Sequence, residues 1–353
     1  MVAVQDPHSW PQPRQGWGGR DPDATLQAPE IPVIDIGALG FTDEPDSGQA
    51  VAQAIGRACQ EIGFFYVVNH GVPQDLREQV FVEAKRFFAL PLEEKLKIPA
   101  TRDHYRGYLA LQSKGYANGK GDFFEGFKMQ LDLGPEDPDV RAGKPLHAPN
   151  KWPENLPGFR ETLLTYQAAM HELADRIAQG FALALGVDRY FFRPFFQKPL
   201  TQLSLMHYPP QPPETLGDYF GVHPHSDTGA FTILMQDETG GLEVGHRSGE
   251  WVSAPPIPDT YLINIGDMMA RWTNDRFTST PHRVINRANQ NRISVPFFVN
   301  PDYDAVVECI PTCQSATVPA RYPATHVGDY ILGVYTSGWQ GEEGFQKEST
   351  SLV

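Results

Sequence analysis

In the stretch GVHPHSDTG, residues 221–229, His223, His225 and Asp227 fall at alternate positions. Imidazole nitrogens and carboxylate oxygens are ligands for divalent first-row metals. On an extended strand residues i and i+2 share a face, about 6.5–7 Å apart. His223/His225 and His225/Asp227 both qualify as ligand pairs on that ground. The first pair would be completed by a Glu three or four residues after His225, but Thr228 and Gly229 stand there. The second needs one distant histidine on a later strand. That makes a facial triad of two histidines and one carboxylate, a set that suits Fe(II) and leaves coordination positions open. His282, in TSTPHRVIN, begins such a strand.

Ten residues later, Arg292 and Ser294 alternate on one face of the otherwise apolar NRISVPFF. A guanidinium and a hydroxyl are costly to bury without partners. Together they are suited to a carboxylate, to which arginine gives two parallel hydrogen bonds. Phe298 follows Ser294 by four positions and so shares that face.

The elements that must position these groups follow from periodicity. Residues 1–29 are rich in Pro and Gly, hold Trp10 and Trp17, and read as an irregular arm. IPVIDI (31–36) is a short apolar strand. A helix then carries Val51, Ile55, Ala58, Cys59 and Ile62 on one face. FFYVVNHG (64–71) reads as a buried strand ending in a glycine turn, and a second helix opens after Pro73 with Val80, Phe81, Ala84, Phe87 and Phe88 inward. Residues 100–158 read as loop-rich and aromatic. The longest helix is expected over 159–185, stopped by Gly186. From 200 to 300 short strands follow closely: QLSLMHY, FTILMQ, GLEV, TYLINI, HRVIN and RISVPFFV. That density suggests a β-sandwich or small barrel.

The chain of 353 residues has 29 basic and 43 acidic side chains and a formal net charge of −14. Such a balance disfavours nucleic acid or an anionic membrane as partner. No apolar run is long enough for a membrane span. The opening residues lack a basic segment followed by an apolar one, so no secretory signal is expected. Three cysteines, Cys59, Cys309 and Cys313, do not make a disulfide framework and fit a reducing cytoplasm.

Taken together, His225-x-Asp227, His282 and Arg292-x-Ser294 resemble the signature of the 2-oxoglutarate- and Fe(II)-dependent dioxygenases, in the isopenicillin N synthase-like subfamily. LMHYPP, GDMMARWTNDRFTSTPHRV and, nearer the N-terminus, IPVIDI, GFFYVVNHGV and FFALPLEEKLK extend the likeness over nearly the whole chain from about residue 30. The resemblance implies a fold that is mainly β with flanking helices: a double-stranded β-helix (jelly-roll) core with an N-terminal helical region. Along the chain, the arm (1–29) would be followed by an N-terminal dioxygenase region with pocket-capping loops (30–158). The long helix (159–199) would pack on the jelly-roll core (200–300), and a C-terminal segment (301–353) would close over the site.

Carried over residue by residue, the resemblance makes His225, Asp227 and His282 the iron ligands. Arg292 and Ser294, assisted by Tyr208, would bind 2-oxoglutarate. Two positions before that tyrosine the plant members usually have Asn; Met206 stands there in this chain, which removes one polar contact. His223 is left over, with a supporting role expected. Fe(II), 2-oxoglutarate and O2 are the implied cofactor and cosubstrates. The implied reaction is hydroxylation or desaturation of a small organic metabolite, with succinate and CO2 as coproducts, by a monomer. The carboxylate of Asp227 fills the position that related halogenases leave for chloride. Phe298, Tyr105, Tyr108, Phe123 and Phe124 are candidates for the substrate pocket. Two other readings stay open at this point: an oxidase like isopenicillin N synthase that does not use 2-oxoglutarate, and a catalytically silent ligand-binding protein.

Overall fold

The structure, a computed structural model, describes residues 31–39, 48–101, 105–111, 122–211, 220–288 and 290–338. Two antiparallel-rich sheets face each other. The eight-stranded sheet runs, from one edge to the other, β1 (Val33–Asp35), β2 (Phe64–Val68), β10 (Tyr261–Ile265), β7 (Phe231–Gln236), β12 (Arg292–Val299), β5 (Gln202–Tyr208), β4 (Glu125–Gln130) and β3 (Gly107–Leu109). The four-stranded sheet is ordered β6 (Val222–His225), β11 (His282–Val284), β8 (Leu242–Gly245) and β9 (Trp251–Ser253). A small β13 (Val306–Val307) and β14 (Thr325–His326) ribbon lies outside both.

Helices α1 (Gln49–Glu61), α2 (Gln74–Phe88) and α5 (Phe159–Leu185) pack together against the outer face of the large sheet. Single turns α3 (Leu92–Lys95) and α4 (Pro138–Arg141) lie between them in sequence, and α6 (Asp267–Trp272) and α7 (Val327–Gly338) come later. α5 has the bounds its periodicity predicts, and Gly186 ends it in the left-handed region at φ 73°.

β12 shows how the sequence sorts the two faces. Ile293, Val295, Phe297 and Val299 join the core beneath the helices. There Phe181 of α5 meets Phe231 edge-on at 5.2 Å. Arg292, Ser294 and Phe298 alternate with them and so face the second sheet. Between the sheets a smaller apolar cluster of Phe64, Tyr66, Tyr208, Leu242, Val244 and Val284 closes one end. Beyond it the inward positions include the polar Arg292, Ser294 and Thr232, an arrangement a purely structural core would not favour.

Residues 100–158 are not simply loop. β3 and β4 add two strands to the edge of the large sheet beside β5. β1 and β2 extend its other side. The barrel is therefore not confined to 200–300; the N-terminal region builds part of it. The signal in EGFKMQ is weak because its apolar residues are only Phe127 and Met129, both at 0% exposure against the helices. Its other face is Gly126, Lys128 and Gln130, turned to the interior. The arm 1–29, with Trp10 and Trp17, lies outside the described residues, as does 339–353.

Candidate active site

His225 closes β6 and His282 opens β11, and the two are direct cross-strand partners. Their rings lie 4.2 Å apart. Asp227 is two residues beyond the end of β6, so strand alternation is not what brings it in. Its place is set by α6, whose first amide donates to the Asp227 carbonyl at 2.7 Å. Gly266, just before α6, has no room for a side chain: a Cβ there would meet the Gly229 carbonyl oxygen at 2.2 Å.

The three ligand atoms lie within 4.8 Å of one another. Asp227 Oδ1 stands 3.7 Å from His225 Nε2 and 3.8 Å from His282 Nε2. Its other oxygen, Oδ2, accepts from Thr232 Oγ1 at 2.5 Å and from Asn264 Nδ2 at 2.7 Å. One carboxylate oxygen is thus tied back while the other faces the imidazoles. His225 Nδ1 donates to the His223 carbonyl at 2.8 Å and His282 Nδ1 to the Thr280 carbonyl at 3.3 Å. Both Nε2 atoms are therefore left as acceptors, the tautomer a metal requires. Burial and the neighbouring His225 push His282 down to about 4, so it stays neutral. Burial raises Asp227, but the two histidines and its hydrogen bonds outweigh that and hold it below the usual carboxylate range. This donor set fits a divalent iron held on one face.

Arg292 is 1% exposed. Its Nε donates to the Gly240 carbonyl at 2.6 Å and its Nη2 to Gln236 Oε1 at 3.0 Å. The guanidinium lies over the Tyr208 ring at 4.6 Å. Nη1 is buried with no hydrogen-bond partner. A buried cation with one donor unspent, flanked by Ser294, is suited to an incoming carboxylate. Tyr208 is the cross-strand partner of Arg292, and its hydroxyl donates to Met206 Sδ at 3.5 Å. Met206 thus supplies a soft acceptor for the phenol.

The five pocket candidates divide. Phe298 sits directly across from Thr232, the residue that holds Asp227. Tyr105 is buried and packs at a tilt against Tyr335 of α7, ring centres 4.3 Å apart. Phe124 is in the cluster between the sheets, 5.8 Å from Tyr208. Phe123 is half-buried, and its amide donates to the Phe220 carbonyl. Tyr108 is a correction. It faces the helices, against Phe87, and its hydroxyl donates to Glu125 at 2.6 Å. A one-residue offset in a strand reverses the side chain's face, and the sequence offered no register for β3.

Several supporting residues escaped sequence reasoning. Thr232 and Asn264 orient Asp227; Gln236 and Gly240 hold Arg292; Asp122 accepts from His223 Nδ1 at 2.9 Å. Lone polar residues inside the apolar runs FTILMQ and TYLINI were the available signal, since a buried hydroxyl or amide requires a partner.

Residues 31–155 match the model of the non-haem dioxygenase N-terminal region, described as that of dioxygenases in morphine synthesis, and residues 200–301 match the 2OG-Fe(II) oxygenase superfamily. The chain is 36% identical over 326 residues to the 2-oxoglutarate-Fe(II) type oxidoreductase hxnY of Emericella nidulans, covering 90% of this chain and 93% of that protein. It is also 36% identical to a homoarginine-6-hydroxylase of Oryza sativa subsp. japonica, covering 86% and 95% of the two chains. Among solved structures, a full-length Neurospora crassa protein in complex with alpha-KG and thymine superposes with a TM-score of 0.79 at 28% identity, covering 87% and 96%. The chain belongs to the 2-oxoglutarate- and Fe(II)-dependent dioxygenases. It is an oxygenase whose cofactors are Fe(II), 2-oxoglutarate and O2. Among the described residues no helix is long and apolar enough to cross a membrane.

Proposed function

We propose that His225, Asp227 and His282 hold the iron, that Arg292 with Ser294 and Tyr208 binds the distal carboxylate of 2-oxoglutarate, and that the enzyme hydroxylates or desaturates a small organic molecule between them. The observation that carries this reading is the unspent Nη1 of Arg292, buried on the same inward face as the residues supporting Asp227. With iron and cosubstrate bound, the chemistry supplied is R–H + 2-oxoglutarate + O2 → R–OH + succinate + CO2.

The chain's own residues supply position and exclusion. Thr232 and Asn264 keep Asp227 to a single ligand oxygen, which leaves more of the metal open. Gln236 and the Gly240 carbonyl fix the guanidinium plane, so cosubstrate docks in one orientation. Phe298 stands beside Thr232 and gives the substrate an apolar wall near the metal. Small-molecule partners suit this enclosure, as the thymine complex of the Neurospora crassa neighbour illustrates for that protein.

Anaerobic addition of Fe(II) and then 2-oxoglutarate to the apo-protein tests the reading. A weak visible charge-transfer band that saturates with 2-oxoglutarate is expected. Iron binding without that band would assign Arg292 to a substrate carboxylate and favour an oxidase that does not use 2-oxoglutarate.

A further inference from the structure

The ladder between β7 and β12 ends at the pair Gln236–Ser294, so Arg292 lies two residues past the last partner that β7 offers. The turn from Asp237 to Gly241, which carries the chain from β7 over to β8 in the second sheet, takes its place. It bonds to residues 291, 292 and 293 in turn. The Asp237 amide donates to the Ile293 carbonyl at 3.1 Å, and Asp237 Oδ2 accepts from the Ile293 amide. The Thr239 hydroxyl donates to the Asn291 carbonyl at 3.4 Å. The Gly240 carbonyl accepts from Nε of Arg292 itself at 2.6 Å.

Asp237 shapes this turn. Its Oδ1 accepts from the Thr239 amide at 3.0 Å, so one carboxylate ties the turn to itself and to the strand that carries Arg292. The backbone beyond is left-handed at Gly240 and Gly241, with φ 79° and 94°. Gly241 is seated against the end of β11: its carbonyl accepts from the Ile285 amide at 2.8 Å, and a Cβ there would meet the Ile285 carbonyl oxygen at 2.5 Å. The turn is therefore fixed at both ends, and the Gly240 carbonyl between them has one place to stand. Gln236, just before the turn, gives the guanidinium its other acceptor, 3.0 Å from Nη2. With Nε and Nη2 both committed, the buried Nη1 keeps one direction.

We infer that Asp237 is a positioning residue for the cosubstrate: it holds the turn that aims Arg292, and so sets the preference for a 2-oxo acid with a distal carboxylate. The inference rests on the assignment of Arg292 to 2-oxoglutarate. A free arginine side chain has wide rotamer freedom, and its two parallel hydrogen bonds form only when the fork lies in the plane of the carboxylate. Where the protein has fixed the fork beforehand, binding does not have to order it. Without the Asp237 carboxylate the turn is loosened, and the distal carboxylate meets a mobile cation. The metal-binding end of the cosubstrate is untouched.

2-Oxopentanoate tests this, since it has the same carbon chain with a methyl group in place of the distal carboxylate. Both acids are titrated anaerobically into the Fe(II) protein, read by the visible band, for the parent, Asp237→Ala and Asp237→Asn. The parent is expected to favour 2-oxoglutarate strongly. Asp237→Ala should lose about tenfold or more of that preference, with affinities for Fe(II) and 2-oxopentanoate within about twofold of the parent. Asp237→Asn keeps one acceptor oxygen and should fall between the two; it decides the matter if the alanine variant does not fold. In an Arg292→Ala background Asp237→Ala should have no further effect, because its action runs through the guanidinium. A preference unchanged in the variants, an equal weakening of both acids, or a further loss in the Arg292→Ala background overturns the proposal. A parent that binds the two acids equally would instead overturn the assignment of Arg292 beneath it.

Discussion

Thr232 grips Asp227 by the carboxylate oxygen that faces away from the two histidines, at 2.5 Å. The hydroxyl belongs to the large sheet and the carboxylate to the loop after β6, so this bond ties the metal loop to the barrel wall. Replacing Thr232 with Val keeps the shape and removes the donor. Fe(II) affinity should fall by about 10–100-fold, the range for a hydrogen bond that orients a ligand. Metal titration of the apo-variant measures it; unchanged affinity would mean that Asn264 alone is sufficient.

Arg292→Ala should weaken 2-oxoglutarate binding by about 2–4 kcal/mol through lost charge-assisted hydrogen bonds. Arg292→Lys should recover only part of this, because an ammonium cannot give two parallel bonds. Titrating the visible band against 2-oxoglutarate reads both variants. Equal affinity in all three proteins would remove Arg292 from the cosubstrate site.

Tyr108 should matter for stability and not for turnover. Tyr108→Phe deletes a hydroxyl that donates to the buried carboxylate of Glu125, a bond worth about 1.5–3 kcal/mol. A lowered unfolding midpoint with KM unchanged is the expected pair of results. A raised KM at unchanged stability would return Tyr108 to the substrate pocket.

Acid should act partly through Glu125. Burial alone would raise its pKa, but hydrogen bonds from His207, Lys95 and Tyr108 overcome that and pull it down to about 2. A carboxyl depressed in the folded state stabilises above its unfolded value, about 4.3, and that contribution is lost as pH falls from there toward 2. Glu125→Gln should therefore be less stable than the parent at neutral pH and lose less on acidification from pH 5 to pH 3. Denaturant melts at the two pH values decide it. Parallel losses in the two proteins would show that other groups carry the acid sensitivity.

Much of this was readable along the chain. The 3.6-residue period placed α5 from Phe159 to Leu185, and short β-rich runs split by Gly, Pro, Asn and Asp marked β5, β7 and β12. His225, Asp227, His282, Arg292 and Ser294 stood out in combination, a His-x-Asp and a distant His beside an Arg-x-Ser pair in an otherwise apolar strand. These are local properties: periodicity and residue chemistry act over a few positions. What the tertiary structure decided is pairwise and distant. Register put Tyr108 on the helix side and Lys128 on the inside, and added β3 and β4 to the barrel. Closure of the two sheets brought Thr232 and Asn264 to Asp227, and the pairing of β7 with β12 inside the large sheet brought Gln236 to Arg292. Side-chain types alone do not specify such pairings, since one strand can meet several partners and a shift of one residue exchanges its faces. Which polar residues come to share one site is decided only when the strands are side by side.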